Sequence, residues 1–299
     1  MDTMEITDTY TEAEMKKDYA QLTAKERGAI VSCHHREGMK VIENFQPHFW
    51  SVAGPDGRSI ATLWNDTEAR KCAEERALKH YKKLYKSEVR RNLAFLNNVP
   101  LPTSYRPALA KSIVRHTSAK EVLDPCAGWG GRMLGAISAG AHYTACEPST
   151  ATHRGLTQML DFLDAGGQAV IHKEAAEVRL RELPSAHFDL VITSPPYFNL
   201  EIYSSETTQS THTFATWDEW LDGFLRPVIT ECLRCLKPRG VSAWSVKDMP
   251  RHPLKQKVIE FHEKHGFKVV EVFGMSSTRR NTGKKALVTE ETLLFSYIE

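Results

Sequence analysis

This sequence lacks three features that would place it quickly in a class of proteins. Its formal net charge is only +2 over 299 residues, so any affinity for nucleic acid must come from local basic patches. It has no apolar run of membrane-spanning length, and its acidic, polar first ten residues are unlike a secretory signal. We therefore expect a soluble, cytoplasmic protein with no membrane partner.

The six cysteines show no paired framework of the kind that staples small secreted domains. Cys232 and Cys235 form a CxxC, but it lies within a helical pattern and has no second pair, which favours buried thiols. The other candidates for a zinc site have irregular spacing; they are Cys33, His34, His35, His48 and Cys72. We therefore expect no metal site.

The first hundred residues predict an α+β extension. Residues 1–20 are mostly polar, which favours a frayed or partner-contacting arm. From His48 to Trp64, two β-rich runs flank Gly54-Pro55-Asp56-Gly57, which predicts a hairpin. Residues 66–96 predict one long helix with an excess of lysine and arginine. A solvated face and a phosphate-contacting surface both fit that helix, so nucleic-acid handling is one reading of residues 1–100.

Residues 101–299 predict an α/β domain in which strands and helices alternate. We expect a mostly parallel sheet, covered by helices on both faces, with a terminal antiparallel strand. Ligands in such sheets lie at the carboxyl ends of the strands. The predicted strands span residues 121–124, 142–147, 169–173, 188–193, 240–246, 267–274 and 287–298. The predicted helices span 108–116, 131–139, 151–164, a short one from 175, 217–236 with a bend at Pro227, and 253–265.

The first motif is a glycine-rich turn between a strand and a helix. The strand Glu121 to Asp124 leads into the loop Pro125 to Gly131, and a helix opens at Arg132. Glycines remove side chains where a ligand could lie against the backbone, and the free N–H groups of the helix point at the same place. A ligand cradle is favoured, and a purely structural tight turn is the alternative. We expect added side chains to be tolerated least at Gly128 and Gly130.

The second motif follows another buried strand, Phe188 to Thr193. There the chain continues Ser194, Pro195, Pro196, Tyr197. The two prolines fix their φ angles and lack N–H donors, which leaves the Pro195 carbonyl and the Ser194 hydroxyl as acceptors beside an aromatic ring. Acceptors beside a flat stacking surface suit a planar base that carries an amino group.

The loop DPCAGWG followed by the tetrad SPPY resembles S-adenosylmethionine-dependent methyltransferases, and among them the amino-methyltransferases of nucleic acids. The resemblance covers roughly residues 101–299. It implies a Rossmann-like methyltransferase sheet, S-adenosyl-L-methionine as cofactor, and DNA as the partner. Serine at the first tetrad position is more usual among enzymes that methylate cytosine N4. Adenine N6 in DNA, an RNA base amine such as guanine N2, and a binding subunit without turnover remain alternatives.

The resemblance also implies roles for individual residues. The cofactor loop comprises Asp124, Pro125, Cys126, Ala127, Gly128 and Gly130. Glu147 would accept the ribose hydroxyls, Glu174 and Ala175 would contact the adenine, and Thr103 and Ser104 the methionine end. In the tetrad, Ser194 and Pro195 would accept the hydrogens of the amine, and Pro196 would fix the turn. Tyr197 would stack on a base turned out of its helix, and Phe198 would line the same pocket.

Two polar loops could contact nucleic acid. Residues 199–216 are long enough to cover a flipped base. Residues 275–286 place Arg279, Arg280, Lys284 and Lys285 in one turn without acidic residues. Phosphate contact is favoured for these four cations, and a solvated hairpin tip is the alternative.

Overall fold

A computed structural model describes residues 5–32, 34–249, 251–277 and 287–298. Within these ranges, eight strands form one sheet that is flanked by helices. The strands are β1 (Ile30–Ser32), β2 (Glu121–Asp124), β3 (His142–Cys146), β4 (Ala169–His172), β5 (Phe188–Thr193), β6 (Leu236–Ser245), β7 (Phe267–Ser277) and β8 (Leu287–Tyr297).

The helices predicted for the second part of the chain are present, with one unpredicted short helix at 210–213, and those of the first part differ from the prediction. They are α1 (Glu12–Ala24), α2 (Met39–Phe45), α3 (Ile60–Asn65), α4 (Thr67–His80), α5 (Lys86–Asn97), α6 (Pro107–His116), α7 (Gly131–Ser138), α8 (Thr150–Phe162), α9 (Ala176–Arg179), α10 (Ser210–Thr213), α11 (Trp217–Trp220), α12 (Arg226–Cys235) and α13 (Leu254–Glu263).

The sheet has the strand order β1-β7-β8-β6-β5-β2-β3-β4. All pairings are parallel except those of β8, which runs antiparallel to both β6 and β7. The predicted α/β class, with a mostly parallel Rossmann-like methyltransferase sheet and an antiparallel last strand, is confirmed. The last strand in sequence lies inside the sheet, because β7 and β1 extend the sheet beyond it.

The strand order reverses direction between β5 and β2. From β2 the chain proceeds outward to β3 and β4, then returns to β5 on the other side of β2. Val122 of β2 pairs with Leu190 of β5, so the two strands end side by side. A crevice opens at such a reversal, outside the carboxyl ends of the strands. The glycine loop and the tetrad therefore start from neighbouring points.

Two apolar clusters cover the two faces of the sheet. Alternate residues of one strand enter different clusters, because successive side chains of a strand point to opposite faces. Val122 packs with the helices α6, α7 and α8, whereas Leu123 packs with α12 and α13. Both faces are thus buried, as expected for parallel strands that contain continuous apolar runs.

The prediction of a frayed or partner-contacting arm over residues 1–20 is wrong for its second half, because helix α1 packs into the same core. Strand β1 pairs in parallel with β7, and Met15 and Leu22 of α1 enter the cluster that covers β2. Lys111 of α6 is 2% exposed, and its ammonium donates to the carbonyls of Leu22, Thr23 and Lys25 at the end of α1. A cation at a helix C-terminus satisfies the free carbonyls and complements the helix dipole.

Two further predictions for the first hundred residues are wrong. The predicted hairpin around Gly54 is a tight turn without paired strands, since Ser59 caps helix α3 and a 3-10 helix, Pro47–Ser51, precedes the turn. The single helix predicted over 66–96 is two helices, α4 and α5, separated at Tyr81–Tyr85. The break lets both helices pack on one small cluster that includes Trp64, Ala73 and Leu93.

The irregularity predicted at Pro227 lies just before it. A π-helical turn, Leu221–Leu225, joins α11 to α12, and Pro227 stands in the first turn of α12. Proline has no N–H and its ring clashes with the carbonyl four residues earlier. A widened turn accommodates that loss and keeps the helical path continuous.

Candidate active site

A cavity of about 350 Å³ lies at the carboxyl ends of β2, β3, β5 and β6. Its size suits a small organic ligand. The structure brings most of the predicted site residues together in its lining: Thr103, Ser104, Pro125, Cys126, Ala127, Gly128, Glu147, Ala175, Ser194, Pro195, Pro196 and Tyr197. Asp124, Gly130, Glu174 and Phe198 are not among the lining residues. Arg279, Arg280, Lys284 and Lys285 lie outside the described residues.

Asp124 is fully buried beneath the glycine loop and organises it. Its carboxylate accepts hydrogen bonds from Nε of Arg132 at 2.6 Å, from the Tyr143 hydroxyl at 2.6 Å and from the Cys126 backbone N–H at 3.1 Å. Arg132 also donates to the Cys126 carbonyl. The guanidinium is 5% exposed and carries the charge that balances Asp124. Asp124 therefore fixes the loop from below and does not line the cavity.

Cys126 lines the cavity but is unsuited to act as a nucleophile. Burial raises the pKa of its thiol well above the ordinary value, and the charge of Asp124 adds to the shift. The thiolate is the reactive form of cysteine. The Cys126 thiol therefore stays protonated at neutral pH, which argues against methylation of a ring carbon through a covalent cysteine adduct.

Glu147 follows β3 and is held rigidly at the cavity wall. One carboxylate oxygen accepts the N–H of Gly128 and the other accepts the N–H of Ser149, both at 3.0 Å. The residue is 8% exposed, and burial raises its pKa to about 7. Each oxygen retains lone pairs for further donors. The arrangement presents a fixed acceptor that is poised to change charge near neutral pH.

The glycines of the loop differ in what a side chain would meet. A Cβ on Gly128 would have no neighbour closer than 3.8 Å, although its φ of +56° is costly for other residues. A Cβ on Gly130 would lie 2.9 Å from the flexible Leu156 side chain. A Cβ on Gly131 would lie 2.0 Å from the carbonyl oxygen of Tyr105. Lack of room is thus greatest at Gly131, whereas Gly128 and Gly130, with φ of +56° and +93°, disfavour a side chain through their backbone conformation.

Trp129, in the middle of the glycine loop, is packed by aromatic residues from two other segments. His48 and Phe49 approach its ring at 5.3 and 5.1 Å between centroids, and Tyr203 at 6.1 Å. His48 also hydrogen-bonds to the Thr152 hydroxyl at 3.1 Å. The N-terminal segment and the segment after the tetrad therefore both support the loop.

Tyr197 and Phe198 point in different directions. Tyr197 lines the cavity, and Nζ of Lys247 lies 5.6 Å from the centre of its ring. Phe198 has a φ of +42° and is 4% exposed. Its ring packs on Trp217 and His252 at 5.6 and 5.3 Å. The prediction that Phe198 lines the same pocket is not supported by this geometry, because the backbone turn sends it into the core.

The polar segment after the tetrad is folded over the cavity. Ile202 exchanges two backbone hydrogen bonds with Ala53, at 2.8 and 3.0 Å. Oε1 of Gln209 accepts the N–H groups of Tyr203 and Ser204, both at 2.9 Å. Glu206 accepts the N–H and the hydroxyl of Thr150 at 2.9 and 2.8 Å. Residues 199–216 thus form a cover that hydrogen bonds hold in place, and part of this cover forms the cavity wall.

Several charged residues of the lining were missed by the sequence reasoning. Glu177 is 9% exposed, one of its carboxylate oxygens has no hydrogen-bond partner, and burial raises its pKa. Glu201, Lys247 and Glu291 also line the cavity. The signal available in the sequence was proximity for Glu201, which stands four residues after Tyr197.

Among the described parts of the chain, no cluster of three or more histidine, cysteine or acidic side chains is arranged to hold a metal ion. Cys33, one of the weighed zinc ligands, lies outside these parts. None of the helices in residues 5–32, 34–249, 251–277 and 287–298 combines the length and apolar character needed to cross a membrane.

Comparisons with known proteins give two family matches. Residues 188–295 match a family described as DNA methylase. Residues 89–213 match a family described as Conserved hypothetical protein 95. Each covers less than half of the chain, and together they span the glycine loop, the tetrad and the cover. No curated protein sequence matches this chain.

Solved structures with a similar fold include three methyltransferases. Precorrin-6y C5,15-methyltransferase from Geobacter metallireducens GS-15 is 17% identical with a TM-score of 0.45, over 64% of this chain and 87% of that one. TrmN from Thermus thermophilus is 15% identical with a TM-score of 0.44, over 64% of this chain and 49% of that one. An O-methyltransferase from Thermotoga maritima is 12% identical with a TM-score of 0.46, over 69% of this chain and 70% of that one. This chain thus spans about half the length of TrmN.

The family matches support methyltransferase activity, and the sheet topology with a cavity at its switch point agrees with it. The cofactor is S-adenosylmethionine, as the resemblance implied.

Proposed function

We propose that this methyltransferase transfers the methyl group to the exocyclic amine of a nucleobase in DNA, with cytosine N4 preferred. The observation that carries the proposal is that Ser194 and Tyr197 line the same cavity as Gly128 and Glu147. The residues expected to hold the donor and those expected to hold the acceptor amine thus face one space. The match to a DNA methylase family over residues 188–295 supports DNA as the substrate.

The lining fits the cofactor in three respects. Glu147 offers two fixed oxygens to the ribose hydroxyls, because backbone N–H groups already hold it in place. Gly128 leaves its wall of the cavity free of a side chain. Ala175 and Glu177 lie after β4, where the adenine is expected. When bound, the cofactor supplies an electrophilic methyl group on a cationic sulfur.

The tetrad deals with the low nucleophilicity of a base amine. The lone pair of that nitrogen is conjugated with the ring. If the Ser194 hydroxyl and the Pro195 carbonyl accept its two hydrogens, the nitrogen is held in a pyramidal, attacking geometry. Tyr197 stacks on the base, which must leave a duplex to reach the cavity. Serine at position 194 favours cytosine N4, as in the family that the motif resembles.

Residues 1–100 are proposed to contact the nucleic-acid backbone. Lys79, Lys82 and Lys83, around the break between α4 and α5, are exposed. Arg90, by contrast, pairs with Asp8 at 2.8 Å. Exposed cations between two helices can pair with the phosphates of a nucleic acid, and the affinity from such contacts falls steeply as the salt concentration rises.

A single assay tests the substrate. The protein is incubated with methyl-labelled S-adenosylmethionine and either DNA or RNA, the nucleic acid is digested to nucleosides, and the labelled nucleoside is identified by mass. We expect label on cytosine N4 of DNA. Label on adenine N6, or on an RNA base such as guanine N2, would show that this base is the substrate in place of cytosine. No label on any nucleic acid, with the cofactor bound, would indicate a binding subunit.

Cofactor affinity should depend on pH through Glu147. The pKa of the free carboxyl is about 7, and ribose hydroxyls donate to its ionised form, so binding lowers that pKa. Below pH 7 the carboxyl must lose a proton for the cofactor to bind. We expect the Kd to fall by up to about tenfold per unit as pH rises toward 7 and to level off above about 8. Calorimetric titration between pH 5.5 and 8.5 measures it.

Glu147→Gln provides the control for this pH dependence. The amide keeps the shape but does not titrate, so its affinity should be lower and flat across the range. A wild-type Kd that does not change between pH 5.5 and 8.5 would contradict the role of Glu147.

A further inference from the structure

Glu201 returns to the tetrad through a tight turn. The N–H of Leu200 donates to the carbonyl of Tyr197 at 2.9 Å, which folds the chain back just after the tetrad. Glu201, the next residue, lines the cavity together with Ser194 and Tyr197. Its position thus follows from the backbone of the motif itself.

The carboxylate of Glu201 is fixed at one oxygen and open at the other. The Tyr203 hydroxyl donates to Oε2 at 2.5 Å. Tyr203 is itself held, because Gln209 accepts its N–H at 2.9 Å and its ring packs on Trp129. Among the described residues, the hydrogen bond recorded for this carboxylate is the one at Oε2. One acceptor oxygen therefore remains available at the cavity wall.

The surroundings of Glu201 favour a proton acceptor stronger than an ordinary glutamate. Burial raises its pKa, and the Tyr203 hydroxyl and the charge of Lys247 oppose that rise. Lys247 also lies over the Tyr197 ring, which places Glu201, Lys247 and Tyr197 in one cluster. The other acidic groups that line the cavity are Glu147, Glu177 and Glu291, of which Glu291 pairs with Lys255 at 2.6 Å.

Methylation of an amine creates a proton that must leave. As the N–C bond forms and the S–C bond breaks, sulfur becomes neutral and the nitrogen, still bearing two hydrogens, becomes cationic. The Ser194 hydroxyl and the Pro195 carbonyl accept hydrogen bonds but do not retain a proton at neutral pH. In this chain the first tetrad position carries no carboxylate, so the acceptor must come from elsewhere.

We propose that Oε1 of Glu201 takes this proton while the N–C bond forms, replacing the Ser194 hydroxyl as the acceptor of one of the two hydrogens. One N–H bond breaks, its electron pair stays on nitrogen, and the products are a neutral methylamino base and a neutral carboxyl. The inference rests on the proposed function, since it needs a base amine as acceptor. It assigns Glu201 a catalytic role that neither motif suggests.

Glu201→Gln tests the assignment with little change of shape. Single-turnover methyl transfer to the substrate base is measured at saturating cofactor, so that titration of Glu147 does not enter. We expect the rate to fall about a hundredfold or more, with the cofactor Kd and the substrate KM unchanged. The wild-type rate should rise with pH through the raised pKa of Glu201, and the variant should lose that dependence.

Tyr203→Phe gives a second readout that a merely structural role would not produce. Loss of the phenol removes a hydrogen bond that lowers the pKa of Glu201, so the acid limb of the pH profile should move to higher pH. Glu263→Gln, at an exposed position of α13 outside the cavity lining, is the matched control and should behave as wild type.

The outcomes separate the inference from the proposed function. An unchanged rate and pH profile in Glu201→Gln, with active wild type, would overturn the role of Glu201 and leave the function standing. A loss of cofactor affinity at an unchanged rate would overturn it too. If wild type methylates no nucleic acid, both proposals fall together.

Discussion

Gly131→Ala is expected to cost about 3 kcal/mol or more of the free energy of unfolding. The added Cβ would lie 2.0 Å from the Tyr105 carbonyl oxygen and 2.9 Å from its carbonyl carbon. Both are backbone atoms, so the whole segment before α6 would have to move. That segment includes Thr103 and Ser104 of the cavity lining. Cofactor binding should therefore be lost together with stability, and urea unfolding with a binding titration measures both.

Two other glycines serve as controls for this substitution. Gly166→Ala places its Cβ where nothing lies within 4 Å, so stability should not fall. Gly128→Ala has room but a φ of +56°, so it should fold with a loss of about 1 kcal/mol and with weaker cofactor binding. If Gly131→Ala and Gly166→Ala had the same free energy of unfolding, the glycine loop would not approach the Tyr105 carbonyl as closely as described.

Asp124→Ala is expected to be the most harmful substitution of a single charge, with a loss of about 3–5 kcal/mol. It would leave the buried guanidinium of Arg132 without its partner at 2.6 Å and the Tyr143 hydroxyl without its acceptor. Because Arg132 also holds the Cys126 carbonyl, the glycine loop should loosen. Chemical denaturation should show a shift of the midpoint and weaker cofactor binding before global unfolding.

A double substitution separates the charge effect from loss of packing. Asp124→Leu combined with Arg132→Met removes both charges and keeps apolar volume, which should recover part of the stability lost by Asp124→Ala. Asp222→Ala breaks an exposed pair with Arg226 and should leave stability unchanged. If Asp124→Ala behaves like Asp222→Ala, the buried pair does not support the loop.

The strands and motif positions of residues 101–299 were predictable because the sequence patterns there are unambiguous. Strands β2 and β5 are short apolar runs that end abruptly at turn-forming residues, and their bounds match the prediction. Both strands are buried on two faces, so local propensity and tertiary packing favour the same structure.

The N-terminal predictions failed where tertiary packing decides the outcome. The run around Trp64 has strand-like composition, yet Ser59 and Thr62 form a capping box that starts a helix. The break at Tyr81 has no proline or glycine to mark it. It follows from packing α4 and α5 on a shared cluster, which periodicity alone cannot indicate.

The site was predictable at the motifs and not beyond them. DPCAGWG and SPPY are local signals and Glu201 follows the tetrad in a tight turn, whereas Glu177 and Lys247 reach the cavity through the fold. Phe198 was wrongly predicted to line the cavity, because residues adjacent in sequence need not have side chains that point the same way. A backbone turn with a φ of +42° at Phe198 separates the two rings.

Single-turnover methyl transfer by Ser194→Ala and Tyr197→Ala tests the central claim most directly. Cofactor affinity is measured in the same preparations. If the tetrad holds the acceptor amine in the cavity that also holds the donor, both variants should bind cofactor as wild type does, and transfer to the base should fall about a hundredfold or more. Wild-type transfer rates in both variants would show that the amine is methylated elsewhere, and the account would be contradicted.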